Sequence, residues 1–123
     1  MKSPLVKRLD VSREFATSER CAIVEVSNSE DDPAVSVARA RVAPGVTTRW
    51  HRLEGTAERY VILAGTGRVE IGDGLREAVR EGDVVLIPPG ARQRIANTGG
   101  CDLVFLAICT PRFRRDNYEE IDE

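Results

Sequence analysis

Apolar residues in this chain come in short alternating runs, and glycine or proline breaks them about every 8–12 residues. That rhythm predicts many short strands and few helices. Residues 21–27 (CAIVEVS) read as a first strand, followed by a polar loop from Asn28 to Pro33. Residues 34–43 form a second strand that ends at the Pro44-Gly45 turn. Residues 47–53 and 58–64 are strands joined by a short loop holding Gly55. Gly65-Thr66-Gly67 leads into RVEI, and Gly72-Asp73-Gly74 is a hairpin-type turn. Residues 83–87 (DVVLI) are β-branched and apolar enough for a buried strand, closed by Pro88-Pro89-Gly90. Residues 92–96 and 102–109 supply the last strands, on either side of Asn97-Thr98-Gly99-Gly100. No helical apolar period persists through the middle of the chain, and no internal repeat is visible. The pattern is that of an all-β sandwich or barrel.

Alternation along a strand also sorts side chains by face. Thr47, Arg49, His51 and Leu53 share one parity. Glu58, Tyr60 and Ile62 share another on the next strand, and Gln93, Ile95 and Asn97 a third. Arg39 and Arg41 share a parity with Val35 and Val37, but both faces of that strand carry apolar residues. If the arginines point inward, the cavity carries cations suited to a carboxylate or phosphate. If they point outward, they are solvated or sit at a subunit contact.

Bulk properties narrow the function. A length of 123 residues fits one domain with one core. A net charge of −2 gives no electrostatic pull toward nucleic acid or an anionic membrane. The longest apolar run, Val84 to Ile87, is too short to cross a bilayer. The N-terminus shows no apolar segment of a secretory signal. The three cysteines, Cys21, Cys101 and Cys109, form no C-x-x-C pair and cannot all bond to one another. Reduced thiols in a cytoplasmic protein are the expectation.

Two glycine-bracketed segments carry the chemistry. The first runs from Gly45 to Gly65 and the second from Gly82 to Asn97. Both resemble the two signature motifs of the cupin superfamily. In the first, Gly45, His51, Glu58 and Gly65 fall on the motif's opening glycine, first histidine, glutamate and closing glycine. In the second, Gly82, Pro88, Gly90 and Asn97 fall in register. Leu53 stands where the motif has its second histidine, and Gln93 where it has its third. The resemblance covers about residues 34–110 and implies a double-stranded β-helix, a jelly-roll barrel. It divides the chain into an N-terminal segment (1–20), one barrel domain (21–110) and a charged tail (111–123). Phe113 and Tyr118 are the tail's possible docking points, and the tail itself reads as a short helix, a frayed end or an arm on a neighbouring subunit.

The resemblance further implies that His51, Glu58 and Gln93 converge inside the barrel on a divalent metal, with Zn, Fe, Mn and Ni as candidates. Arg49, Leu53, Tyr60 and Arg41 are the candidate cavity residues. Leu53 cannot ligate, and a neutral amide oxygen from Gln93 is a weak ligand. The alternative for His51, the only histidine in the chain, is a hydrogen-bonded core residue paired with a carboxylate such as Glu58. Two functions follow. One is a cupin that holds a divalent ion and a small organic ligand, with the ion as Lewis acid in an enzyme. The other is a metal-free, non-catalytic cupin that binds or senses a small molecule. A homodimer that covers open sheet edges is compatible with both.

Overall fold

Short β-branched and aromatic runs between positive-φ glycines become strands because extended backbone lets each run bury every second side chain. The computed structural model describes residues 3–121. The first two residues of the N-terminal segment and the last two of the tail lie outside the described residues. The strands are β1 (Phe15–Ala16), β2 (Ala22–Ser27), β3 (Ser36–Val42), β4 (His51–Leu53), β5 (Ala57–Ala64) and β6 (Thr66–Ile71). They continue with β7 (Leu75–Arg80), β8 (Val84–Ile87), β9 (Gln93–Asn97), β10 (Leu103–Thr110) and β11 (Tyr118–Glu120). Two short 3-10 turns, Val11–Arg13 and Arg115–Asn117, are the helical pieces among the described residues.

The strands form two antiparallel sheets. One has six strands in the order β1-β2-β3-β10-β5-β8, and the other five in the order β11-β4-β9-β6-β7. The non-sequential neighbours show that the chain passes back and forth between the sheets, as a jelly roll requires. The core between them takes residues from both: Val42, Ile62, Leu103 and Phe105 from the first, Val69 and Ile95 from the second. Burial of each such side chain contributes roughly 1.5–3 kcal/mol.

Gly65 shows why one motif glycine cannot vary. Its φ is +87°, and a Cβ there would meet the Asp102 carbonyl oxygen at 2.7 Å. The turn therefore needs glycine for its conformation and for its close approach to the backbone at Asp102 and Leu103.

Most predicted strands are present within a residue or two. The exception is the run 47–53. Only His51–Leu53 is strand; Thr47 makes an isolated bridge to Ala96. Over residues 47–50 the buried positions are Thr48 and Trp50, whereas in β4 they are His51 and Leu53. The parity therefore shifts by one residue just before β4. β7 escaped the alternation because only Val79 is buried along it. Through residue 121 the tail combines a short helical piece with a strand. It makes a 3-10 turn and then adds β11 to β4 of the same chain, pairing Tyr118 with Leu53 and Glu120 with His51.

Candidate functional site

Two pairs of facing strands bring the motif residues together. In the five-stranded sheet β4 lies beside β9, with His51 opposite Gln93. In the six-stranded sheet β5 lies beside β10, with Glu58 opposite Cys109 and Tyr60 opposite Ala107. The inward parity of β5 buries Glu58, Tyr60 and Ile62. The Tyr60 hydroxyl donates to Gln93 Oε1, which ties the two sheets together across the barrel interior. Tyr60 also packs against Phe105, with ring centroids 4.4 Å apart.

His51 is buried, and its Nδ1 lies 3.0 Å from the Arg49 carbonyl oxygen and 3.4 Å from Glu19 Oε2. The Arg49 carbonyl can only accept, so Nδ1 carries the proton and donates to it. Tyr118 stacks on the ring with centroids 5.5 Å apart and planes 25° from parallel. The carboxylate that faces His51 across this contact is thus Glu19, from the segment before the first predicted strand.

Glu58 is 8% exposed. Its Oε2 accepts from the Cys109 thiol at 3.8 Å, and its Oε1 has no hydrogen-bond partner. Loss of water around the carboxyl pushes its pKa up to about 7; Glu19 adds to the rise, and nearby His51 and the Gln93 and Cys109 side chains oppose it. Burial raises Glu19 as well, with His51 again opposing. The thiols of Cys21 and Cys109 are pushed up by the same desolvation, Cys21 to about 12. Both are buried and inert, and all three cysteines are free. The Tyr118 hydroxyl is a second buried polar atom without a partner.

These groups line two adjacent spaces that share wall residues. The inner one is a chamber of about 50 Å³ walled by His51, Leu53, Glu58, Tyr60 and Glu19, among others. The outer one is a vestibule of about 380 Å³ that shares Glu19, Ile23, Glu58, Ala107, Phe113 and Tyr118 with it. Phe15, Glu25, Cys109 and Arg115 also line the vestibule.

Of the seven residues singled out in the sequence, His51, Glu58, Leu53 and Tyr60 border the inner chamber. Gln93 is 1% exposed and does not line the chamber; its oxygen is held by Tyr60. Arg49 and Arg41 do not belong to the cavity. Arg49 is exposed and pairs with Glu120 at 3.7 Å, because the parity shift before β4 turns it outward. Arg41 pairs with Glu14 at 2.7 Å and Asp102 at 3.4 Å on the outer face. Arg92 and Arg94 also lie outside, their guanidinium carbons 4.3 and 4.5 Å from the Trp50 ring centroid. The expected cationic wall is therefore absent among the described residues that line the cavity, apart from Arg115 at the vestibule. Glu58 pairs with neither Arg59, which donates to Thr110, nor Arg92. Asn97 pins the turn after β9: its Nδ2 donates to the Val42 and Cys101 carbonyls, and its Oδ1 accepts from Gly99 N–H.

Three wall residues had no place in the motif reading. Glu19 lies in an ordinary polar stretch that carries no signal. Phe113 and Tyr118 were marked only by their aromatic character in a charged tail.

Leu53 fills one motif position with hydrocarbon. The Gln93 oxygen at another already accepts from Tyr60. Among the described residues no three His, Cys, Asp or Glu side chains are grouped to hold a metal. One imidazole and one carboxylate do not fit a tightly bound ion of the kind the motif serves.

Comparison with known proteins agrees with the fold. An oxalate-binding protein of Thermotoga maritima is 39% identical over 71 residues, 58% of each chain. The matched region thus spans little more than half the length of that relative. A crystal structure of a predicted oxalate decarboxylase from Thermotoga maritima superposes with a TM-score of 0.75 at 27% identity, covering 85% of this chain and 98% of that one. An uncharacterized Klebsiella pneumoniae protein with a double-stranded β-helix domain gives 0.75 at 14% identity, covering 91% and 93%. The cupin domain model matches residues 38–109, more than half of the sequence. With both motifs on facing strands of a two-sheet jelly roll, this chain belongs to the cupin family.

Proposed function

We propose that this cupin binds a small organic molecule in the space shared by the inner chamber and the vestibule, without a resident metal ion. The observation that carries the reading is the unpaired Oε1 of Glu58, a buried side chain that lines both spaces. A buried carboxylate oxygen without a partner costs roughly 1–3 kcal/mol or more. A ligand that supplies the missing hydrogen bond recovers that energy on binding. The vestibule volume lies within the roughly 300–1,000 Å³ of small-molecule sites. Similarity to an oxalate-binding protein of Thermotoga maritima supports a small ligand in general terms.

The divalent ion implied by the motifs is left out of this reading because Leu53 brings no donor and Gln93 is committed to Tyr60. Elemental analysis of protein purified without nickel, beside His51→Ala, tests the point. The expected result is far less than one ion per chain in both, and thermal stability unchanged by Zn, Mn, Ni or Fe(II). About one ion per chain, lost in His51→Ala, would overturn it and restore the metal reading.

We also propose a homodimer. β8 is an outer strand of its sheet, and its Val84 and Leu86 are 57% and 69% exposed. A second copy would cover that apolar edge. Sedimentation velocity reads the assembly directly.

A further inference from the structure

Three carboxyl groups, Glu19, Glu25 and Glu58, line the vestibule, against one guanidinium, the exposed Arg115. His51 lies deeper, in the inner chamber, with its Nδ1–H directed at the Arg49 carbonyl and Glu19. The other arginines near the barrel strands are engaged on the outer face: Arg39 and Arg41 with Glu14, Arg49 with Glu120, Arg92 and Arg94 over Trp50. An anionic ligand would therefore enter a wall of its own charge. Both polar atoms left without partners at the cavity, Glu58 Oε1 and the Tyr118 hydroxyl oxygen, can accept a hydrogen bond. The charged side chains of the wall are mostly carboxyls, so a positively charged donor complements them best.

The rest of the lining is apolar and aromatic. Phe15 stands 49% exposed at the vestibule, and Phe113 meets Tyr118 edge to face at 6.4 Å. Aromatic faces attract cations through their ring quadrupoles, and ring edges and aliphatic walls take hydrocarbon. Ile23, Ala38 and Ala107 complete that surface.

From this we infer that the vestibule takes a small organic amine, its ammonium group against Glu58 and its hydrocarbon body among Phe15, Phe113 and Tyr118. The inference rests on the cavity-binding reading above and specifies its ligand class. It also separates this chain from the oxalate-binding relative: a dianion of that kind would face Glu19, Glu25 and Glu58 together.

Isothermal titration near neutral pH on chelator-treated protein provides the test. The probes are phenethylamine, 2-phenylethanol, phenylacetate and oxalate. Phenethylamine is expected to bind, and the neutral and anionic probes to bind far more weakly. Glu58→Gln keeps the shape and removes the charge, and it is expected to weaken the amine roughly 10- to 100-fold. Glu25→Lys changes an exposed residue with little demand on folding. It should weaken the amine and improve phenylacetate. Phenylacetate or oxalate binding as tightly as the amine would overturn the amine assignment and leave the cavity reading standing. Equal binding of 2-phenylethanol would do the same. Amine affinity untouched by both variants would remove it from this vestibule. Silence from all four probes would count against amine and cavity reading alike.

Discussion

Glu58 and Gln93 occupy equivalent roles in the two motif segments, yet they stand in opposite states. Gln93 is fully buried on β9 and its oxygen accepts from Tyr60, so its polar group is part of the scaffold. Asn97, farther along the same strand, makes three hydrogen bonds that hold the next turn. Glu58 on β5 is nearly as buried but keeps one oxygen unpaired and a carboxyl whose pKa is raised to about 7. The second motif has thus become structural, while the first retains a strained polar group beside a cavity. A buried polar atom adds to a fold when it is paired and costs free energy when it is not.

The contrast can be broken at its strongest point first. Asn97→Ala removes three hydrogen bonds from a residue that is 4% exposed and strands two carbonyls and an N–H. Denaturant unfolding should show a loss of about 3 kcal/mol. A loss below about 1 kcal/mol would mean that water replaces the side chain and that the second motif is not structural.

Glu58→Gln sharpens the same comparison from the other side. An unfolded glutamate titrates near 4.5, and folded Glu58 near 7. Between those values the folded chain holds a proton that the unfolded chain has released. Stability therefore falls as pH rises through that window, by an amount of order 2–3 kcal/mol from this group. Glu58→Gln cannot lose a proton. Its stability relative to the parent should rise by that amount from about pH 4.5 to about pH 8. Parallel stability curves for the two proteins would show that Glu58 ionises normally and is not desolvated.

The smallest effect expected is at Tyr118. Its hydroxyl has no partner, whereas its ring stacks on His51 and meets Phe113. Tyr118→Phe keeps the ring and should change stability by no more than about 0.5 kcal/mol. A loss above about 1 kcal/mol would show that the hydroxyl is bonded in solution and is not available to a ligand.

Parity arguments were reliable where a strand runs unbroken. Glu58, Tyr60 and Ile62 face inward together, as do Gln93, Ile95 and Asn97, because residues two apart on continuous extended backbone must. The same argument failed for Arg49. It assumed one strand over 47–53, and the chain instead shifts parity just before β4, with Trp50 buried under Arg92 and Arg94. Arg41 was ambiguous because β3 carries apolar residues on both faces. Its direction was decided by Glu14 and Asp102, which lie 27 and 61 residues away.

By itself, then, the sequence determined the all-β class, most strand positions and the cupin motifs, including the loss of ligands at Leu53 and Gln93. Those features depend on alternation, turn residues and fixed spacing, which act over a few residues. Tertiary structure alone decided that Glu19, Phe113 and Tyr118 join the cavity, that Arg41 and Arg49 stay outside it, and that Glu58 keeps an unpaired oxygen. Each of these depends on which distant segments close over the barrel, and no local pattern encodes that choice.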